Sequence, residues 1–333
     1  MTETTTRWGL LSTARINDKV LPALAEVPRA EALAVASRDA ATARAYAETR
    51  GLARAYGSYD DLLADPDIDV VYVSLPNHLH ATWTIRAAEA GKHVLCEKPI
   101  ALSVVEVDAI AAAAAANAVV VTEAFMYRSH PQTVAITAMI ARGDIGDVRL
   151  VRGSFSFTLT NSGDPRLEPS MGGGCAWDVG VYPISFARNV FGRAPETVTA
   201  HARYGPTGVD LDCHGTLDFG DGAVALFDAS FALPYRTNVE IVGTDGVILV
   251  ANPFKPTTQA VIGVGPASDR LQEVVVTAER SLYAYEIEDL IDAVQHGRRP
   301  TVDLADSRAN TATLQAVLDS AAHGGARVRV LGS

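Results

Sequence analysis

Along the first third of the chain, short apolar runs rich in β-branched residues take turns with longer stretches of helical periodicity. Residues 8–11 predict a first strand, followed by a loop and a helix through about Glu26. A second strand is predicted over 32–36 and a helix over 39–50. A short helix over 59–64 is entered from Ser58, whose hydroxyl suits an N-cap. The third strand falls at 70–74, and the helix at 78–90 is ended by Gly91. Val94 and Leu95 lie in a fourth strand, 104–116 forms a helix and 119–122 a fifth strand. Apolar strands separated by helices are what a parallel sheet buried on both faces requires. The order predicts an α/β fold whose N-terminal part is a doubly wound, Rossmann-type parallel sheet.

After about Phe125 the rhythm changes. A helix is predicted over 132–141, a strand over 148–158 and another helix over 177–190. Four or more strands follow, at 197–204, 210–219, 223–231 and 238–242. Gly220-Asp221-Gly222 and Thr244-Asp245-Gly246 give hairpin signals between them. Hairpins without crossover helices predict a C-terminal α+β domain with a large, mostly antiparallel sheet. Helices return at 285–295 and 306–322. The expected division is a dinucleotide-binding domain over 1–124 and a substrate-binding domain over 125–333.

Composition narrows the function classes. A chain of 333 residues, 48% hydrophobic, fits two globular domains. A net charge of −11 argues against nonspecific nucleic-acid binding, although one arginine suffices to hold a phosphate locally. No signal-peptide core is visible, and the alanine-rich stretch 110–121 is too short to span a bilayer and is interrupted by Asn117. Cys96, Cys175 and Cys213 form no CxxC pair, which leaves a disulfide framework or structural zinc site poorly supported. A cytoplasmic protein without nucleic-acid or membrane partners is expected.

Candidate chemistry falls at strand ends. In the first turn, Gly9 to Asn17, a dinucleotide fingerprint would place glycines near the pyrophosphate. Here Ser12 and Ala14 take the first two positions and Asn17 the third. Ser12, Ala14, Arg15 and Ile16 are the pyrophosphate candidates; an ordinary tight turn with Asn17 capping the helix is the alternative. An NAD site calls for a carboxylate after the second strand, but this chain has Ser37-Arg38, a hydroxyl and a guanidinium suited to a 2'-phosphate. NADP is therefore the expected cofactor. Pro76 and Asn77 suit a nicotinamide-side loop, and His80 lies beside the cofactor or serves the helix start. The His78-x-His80 pair does not share a helical face, and no metal is expected.

Glu97-Lys98-Pro99 follows the fourth strand at the carboxyl edge, where open sheets bind ligands. Lys98 can hydrogen-bond a reacting oxygen or lower the pKa of a neighbouring acid, or simply pair with Glu97. Glu123 can contact the ribose or amide, or orient Lys98. In Gly172-Gly173-Gly174-Cys175-Ala176-Trp177-Asp178-Val179-Gly180-Val181-Tyr182 the glycines leave room for a ligand, and Asp178 and Tyr182 lie four apart, on one helical face. A phenol near a lysine and a carboxylate is a workable acid/base for carbonyl–alcohol chemistry; a helix-start carboxylate and a packed ring are the alternative. Arg128, His130 and Arg166 are candidates to line the substrate pocket.

These residues together resemble the glucose-fructose oxidoreductase / inositol dehydrogenase (Gfo/Idh/MocA) family. The resemblance runs over essentially the whole chain: the first turn, Ser37-Arg38, Leu75-Pro76-Asn77 with His80, Glu97-Lys98-Pro99, and 178–182. It implies that Lys98 sits beside nicotinamide and substrate, that Asp178 orients substrate hydroxyls and that Tyr182 is the acid/base. Tyrosine rather than histidine at that position resembles the branch with dimeric dihydrodiol dehydrogenase and NADP xylose dehydrogenase, as does Arg166. The family implies a homodimer or homotetramer formed through the outer face of the C-terminal sheet. The glucose-fructose enzyme's N-terminal arm and export signal are not seen here and are not carried over. The expected function is reversible hydride transfer between NADP(H) and a carbon of a sugar-like substrate. The competing functions are NAD-dependent glycoside cleavage and a non-catalytic nucleotide-binding regulator.

Overall fold

A computed structural model of the chain describes residues 4–331. Contacts divide it into two units. One comprises Met1–Ser129 with Arg280–Ser307, the other His130–Glu279 with Arg308–Ser333.

The first unit runs β1 (Thr6–Leu11), α1 (Asn17–Glu26), β2 (Ala30–Ala36), α2 (Ala40–Arg50), β3 (Arg54–Tyr56), α3 (Tyr59–Leu63), β4 (Val70–Val73), α4 (Asn77–Glu89), β5 (His93–Glu97), α5 (Val104–Ala116) and β6 (Val121–Ala124). All six strands are parallel, in the order β3-β2-β1-β4-β5-β6. This is the doubly wound order expected of a dinucleotide-binding sheet. Three-residue β3 was not anticipated, because all its residues are half-buried and show no apolar alternation.

Alternation along the strands sends side chains to two separate cores. Leu11, Val71, Val73 and Val94 pack with Leu62, Ile68 and Ile110 on one face. Trp8, Leu10, Val70, Tyr72 and Leu95 pack with Val20 and Leu24 on the other. That second core is completed by Ala284, Ile287, Leu290 and Ile291, from a helix near the end of the chain. A division of the sequence at 124 leaves this helix with the later segment, but its apolar face is buried on the first sheet.

The second unit contains α6 (Pro131–Ala141), β7 (Val148–Ser156), α7 (Val181–Phe191), β8 (Thr197–Tyr204), β9 (Asp210–Asp218), β10 (Val224–Ser230), β11 (Arg236–Gly243), β12 (Val247–Val250), β13 (Gln259–Gly265) and β14 (Gln272–Thr277). The chain then forms α8 (Leu282–His296), the helix of the first unit, followed by α9 (Leu304–Ala322) and β15 (Val328–Arg329). Nine strands form one sheet, ordered β14-β13-β12-β11-β7-β10-β9-β8-β15. Its pairings are antiparallel except β7–β10.

The helix expected over 177–190 is in fact two pieces, a π-helical turn (Ala176–Gly180) leading into α7. Pro183 has no N–H to give the carbonyl four residues back, so regular α-helical bonding cannot run through this stretch. Proline instead serves packing. A Cβ on Gly153 of β7 would lie 2.7 Å from that of Pro183, so only glycine lets the helix approach so closely.

At the amino end of the parallel strands an ionic cluster closes the first sheet. The buried Asp65 carboxylate accepts from Arg54 Nη1 (2.6 Å), Tyr56 Oη (2.6 Å) and the Asp67 amide (2.9 Å). Burial alone pushes this carboxyl up, but those three donors outweigh it and hold the pKa at about 2. Asp65→Ala leaves the Tyr56 phenol and the Asp67 amide without their acceptor while Arg54 keeps Asp67, and is expected to cost about 2 kcal/mol of unfolding free energy in urea at pH 7. The carboxylate stabilises fully above its unfolded pKa of about 4, and that contribution is lost as pH falls towards about 2. The gap between wild type and variant should close over that window; a gap constant with pH would refute the assignment.

Candidate active site

The β1–α1 turn holds its shape through side chains rather than glycines. Ser12 has φ of 138°, a conformation normally left to glycine. Its Oγ donates to the Ser74 carbonyl (3.0 Å) and accepts from the Ala14 amide (3.1 Å). Fully buried Asn17 donates through Nδ2 to the Ser12 carbonyl (2.8 Å) and accepts from Ser74 Oγ (3.1 Å). The Ser12 hydroxyl is thus engaged inside the turn, while Arg15 is exposed and Ala14 and Ile16 are half-buried beside it. At the end of β2, the Ser37 amide bonds the Tyr56 carbonyl (3.0 Å) and Arg38 is exposed. Asp39 commits its carboxylate to capping α2, accepting from the Thr42 amide at 2.7 Å and hydroxyl at 2.6 Å.

The loop bearing Lys98 is braced on every side. Just before it, Tyr72 Oη donates to Glu97 Oε1 at 2.5 Å. Just after it, the Pro99 carbonyl lies 2.7 Å from His80 Nδ1, and the Ile100 amide donates to Glu123 Oε1 at 3.0 Å. The Lys98–Pro99 peptide is cis. His80 Nε2 reaches back 2.6 Å to the Leu75 carbonyl, so one buried ring ties the Leu75-Pro76-Asn77 entry of α4 to this loop. With a carbonyl at each nitrogen, the neutral ring donates to one and only the protonated ring donates to both. Burial lowers the His80 pKa against the pull of those carbonyls. Behind Glu97 stands Glu286 of α8, 5% exposed, its oxygens without a hydrogen-bond partner among the described residues. Burial, then the charges of Glu97 and Asp289, push its carboxyl well up.

In the second unit, Arg166 and Asp178 meet. Arg166 Nη1 lies 3.5 Å from Asp178 Oδ2, its Nε lies 3.1 Å from Asp164, and its guanidinium sits 5.6 Å from the Phe157 ring centre. The glycine run wraps the short 3₁₀ turn Pro165–Leu167. The Gly174 amide bonds the Arg166 carbonyl (2.9 Å), and a Cβ on Gly173 would come within 2.5 Å of that oxygen. Tyr182, 5% exposed, packs its ring against Phe155 (5.3 Å) and Phe254 (5.5 Å). Arg166 and Asp178 are thus brought together, whereas Tyr182 lies on α7 with its ring against Phe155 and Phe254.

Two pocket candidates have structural partners. Arg128 is buried against Asp306 (3.1 Å) in the first unit. In the second unit His130 caps α6 by accepting the Gln132 amide (3.1 Å), and burial lowers its pKa to about 4.

Residues 6–125 match the oxidoreductase family with an NAD-binding Rossmann fold, and residues 133–249 match the GFO/IDH/MocA C-terminal domain. The chain belongs to the GFO/IDH/MocA oxidoreductase family. Among its relatives is D-xylose 1-dehydrogenase (NADP(+)) 2 of Haloferax volcanii, 38% identical over 96% of this chain and 98% of that one. Trans-1,2-dihydrobenzene-1,2-diol dehydrogenase of Xenopus laevis is 33% identical over 91% and 94%. The crystal structure of KijD10, a 3-ketoreductase from Actinomadura kijaniata, in complex with NADP and TDP-benzene superposes with a TM-score of 0.88. It is 32% identical and covers 95% of this chain and 98% of that one.

Sequence reasoning about this family member missed Tyr72, Glu286 and Asp210. Tyr72 reads as a core position of a strand and Glu286 as a solvated position of a helix, and only the fold brings them beside Glu97. Asp210 opens β9 and is buried, yet alternation along Asp210–Asp218 groups it with the polar positions Asp212, His214 and Asp218 rather than with the core residues Cys213 and Leu217, so the sequence carried no signal for it. Among the described residues no helix is long and apolar enough to cross a membrane, and no cluster of three or more His, Cys, Asp or Glu is placed to hold a metal.

His80→Ala removes a buried side chain that bridges the α4 entry and the Lys98 loop. It is expected to cost about 3 kcal/mol in thermal or urea unfolding, from a lost buried hydrogen bond and a cavity. An unchanged melting temperature would mean that the bridge does not hold the loop.

Proposed function

We propose that this chain is an NADP-dependent oxidoreductase moving a hydride between the nicotinamide and a carbon of a sugar or keto-sugar, with Tyr182 as acid/base. What carries the reading is Lys98 at the carboxyl end of β5, in a loop fixed by Tyr72, His80 and Glu123. Open parallel sheets bind their ligands at that edge. The β1–α1 turn fits a pyrophosphate, since Ser12 already holds the glycine-like backbone conformation the close approach demands. Ser12, Ala14, Arg15 and Ile16 would line the diphosphate, Ser37 and Arg38 the 2'-phosphate, and Leu75, Pro76, Asn77, His80 and Glu97 the nicotinamide end. When bound, the cofactor supplies the hydride acceptor or donor.

The chain's own residues handle the proton and the orientation. In the oxidative direction the Tyr182 phenol, as phenolate, accepts the proton of the reacting hydroxyl; in reduction it returns one to the carbonyl oxygen. Lys98 donates a hydrogen bond to that oxygen and offsets the charge developing on it. Asp178 accepts from neighbouring substrate hydroxyls, and Arg166 both orients Asp178 and donates to the same hydroxyls. A homodimer or homotetramer through the sheet face exposing Leu226, Val261 and Val275 belongs to the same reading, to be read by sedimentation velocity, with the cytoplasm as compartment.

Fluorescence titration of the cofactor-free protein should show NADPH binding about tenfold or more tighter than NADH, a preference erased in Arg38→Ala. Preference for NADH would reverse the cofactor assignment. In a screen of D-xylose, D-glucose and keto-sugars, Tyr182→Phe should lower turnover of the best substrate by about a hundredfold or more. Near-wild-type turnover would sink the acid/base role.

A further inference from the structure

The helical segment bearing Asp178 and Tyr182 has no side-chain cap of its own, because Cys175, at its N-cap position, makes no capping bond. The first amide is satisfied from another strand. Asp210, the first residue of β9 and only 4% exposed, accepts the Ala176 amide on Oδ2 at 2.6 Å. The same oxygen accepts the Cys175 thiol at 3.1 Å. Burial first, and then the neighbouring Asp210 charge, push that thiol far up, so it remains a donor. The other oxygen, Oδ1, faces Gly174, where φ is 119° and a Cβ would fall 2.1 Å away. Backbone conformation, glycine and carboxylate are thus fitted to one another at the point where the glycine run becomes a helix. Asp178 is the third residue of that segment and Tyr182 the seventh, so any shift of its first turn moves both. A carboxylate at a helix start also meets the positive end of the helix dipole.

We propose that Asp210 is a positioning residue for hydride transfer: its buried carboxylate fastens the start of the helix and so fixes where Asp178 and Tyr182 present their polar groups. This rests on the assignment of those two residues to the reaction. Displacement of about 1 Å at a reacting group is enough to cost a large factor in rate. The role is separate from cofactor binding, whose candidate residues lie in the first unit.

The test uses Asp210→Ala, Asp210→Asn, Gly174→Ala and the double variant Asp210→Ala/Gly174→Ala, with Tyr182→Phe in parallel. Readouts are kcat, KM for the best sugar of the screen, NADPH affinity by fluorescence and melting temperature. Asp210→Ala should lower kcat by about tenfold or more while NADPH affinity stays within about twofold. Asp210→Asn keeps an oxygen for the Ala176 amide and should recover kcat to within about threefold of wild type. Gly174→Ala drives a methyl against the carboxylate and should reproduce the loss, with the double variant no worse than the poorer single one, as expected for groups acting as a unit.

A folded Asp210→Ala protein with wild-type kcat overturns the proposal, as does an Asn variant as impaired as the Ala variant. If Asp210→Ala does not fold, Asp210→Asn decides: kcat within about threefold of wild type supports the role and a loss of about tenfold or more overturns it. Full turnover in Tyr182→Phe would instead remove the functional reading beneath it, an outcome the parallel assay separates from failure of the Asp210 role.

Discussion

Covering both faces of a parallel sheet is the requirement on which the first unit depends, because its central strands are apolar on both sides and cannot face water. Leu11 and Val73 point one way, Leu10 and Tyr72 the other, and each set needs its own layer of helices. Helices α3, α4 and α5 serve one side, α1, α2 and α8 the other. With both faces closed, polar chemistry is confined to the strand ends. Every candidate in this unit, from Ser12 to Arg38, His80 and Lys98, sits at or just beyond the carboxyl end of a strand.

Burial of polar groups then sets how rigid those ends are. His80, Asn17, Ser74, Tyr72 and Glu123 are all buried, and the bonds described for them run to loops or to the ends of strands and helices beside them. Removing a buried group from water costs more than a single hydrogen bond returns unless its partners are fixed. The loops they hold are therefore as constrained as the strands. Asp210 repeats the pattern in the second unit, where a strand residue holds the entry to a helix.

The fold class was legible because periodicity is a property of long segments. Five of the six parallel strands and the change to an antiparallel sheet could be read directly. What escaped depends on contacts distant in sequence. β3 offers only three half-buried residues, and β12 to β14 continue a sheet whose extent only pairing reveals. The break before α7 follows from Pro183, visible in the sequence but read through. Lys98, Asp178 and Tyr182 stood out as chemistry-bearing residues in unusual surroundings. Glu286 did not, since a glutamate on a helix is ordinarily solvated, and only the fold buries it near Glu97, across 189 residues of chain.

The return of α8 to the first sheet also bears on how the protein is made. Topologically, His130–Glu279 is an insertion into the nucleotide unit. A chain emerging from the ribosome presents all six parallel strands long before the helix that shields Trp8, Tyr72 and Leu95 has been synthesised. For that interval the part of that face not covered by α1 and α2 is an open apolar surface, the kind of surface on which partly folded chains associate. The inserted unit, complete in its main strands by Thr277, can begin to fold while the older part of the chain still waits for its last layer. Completion of the nucleotide end is thereby delayed until after the middle of the chain has been made.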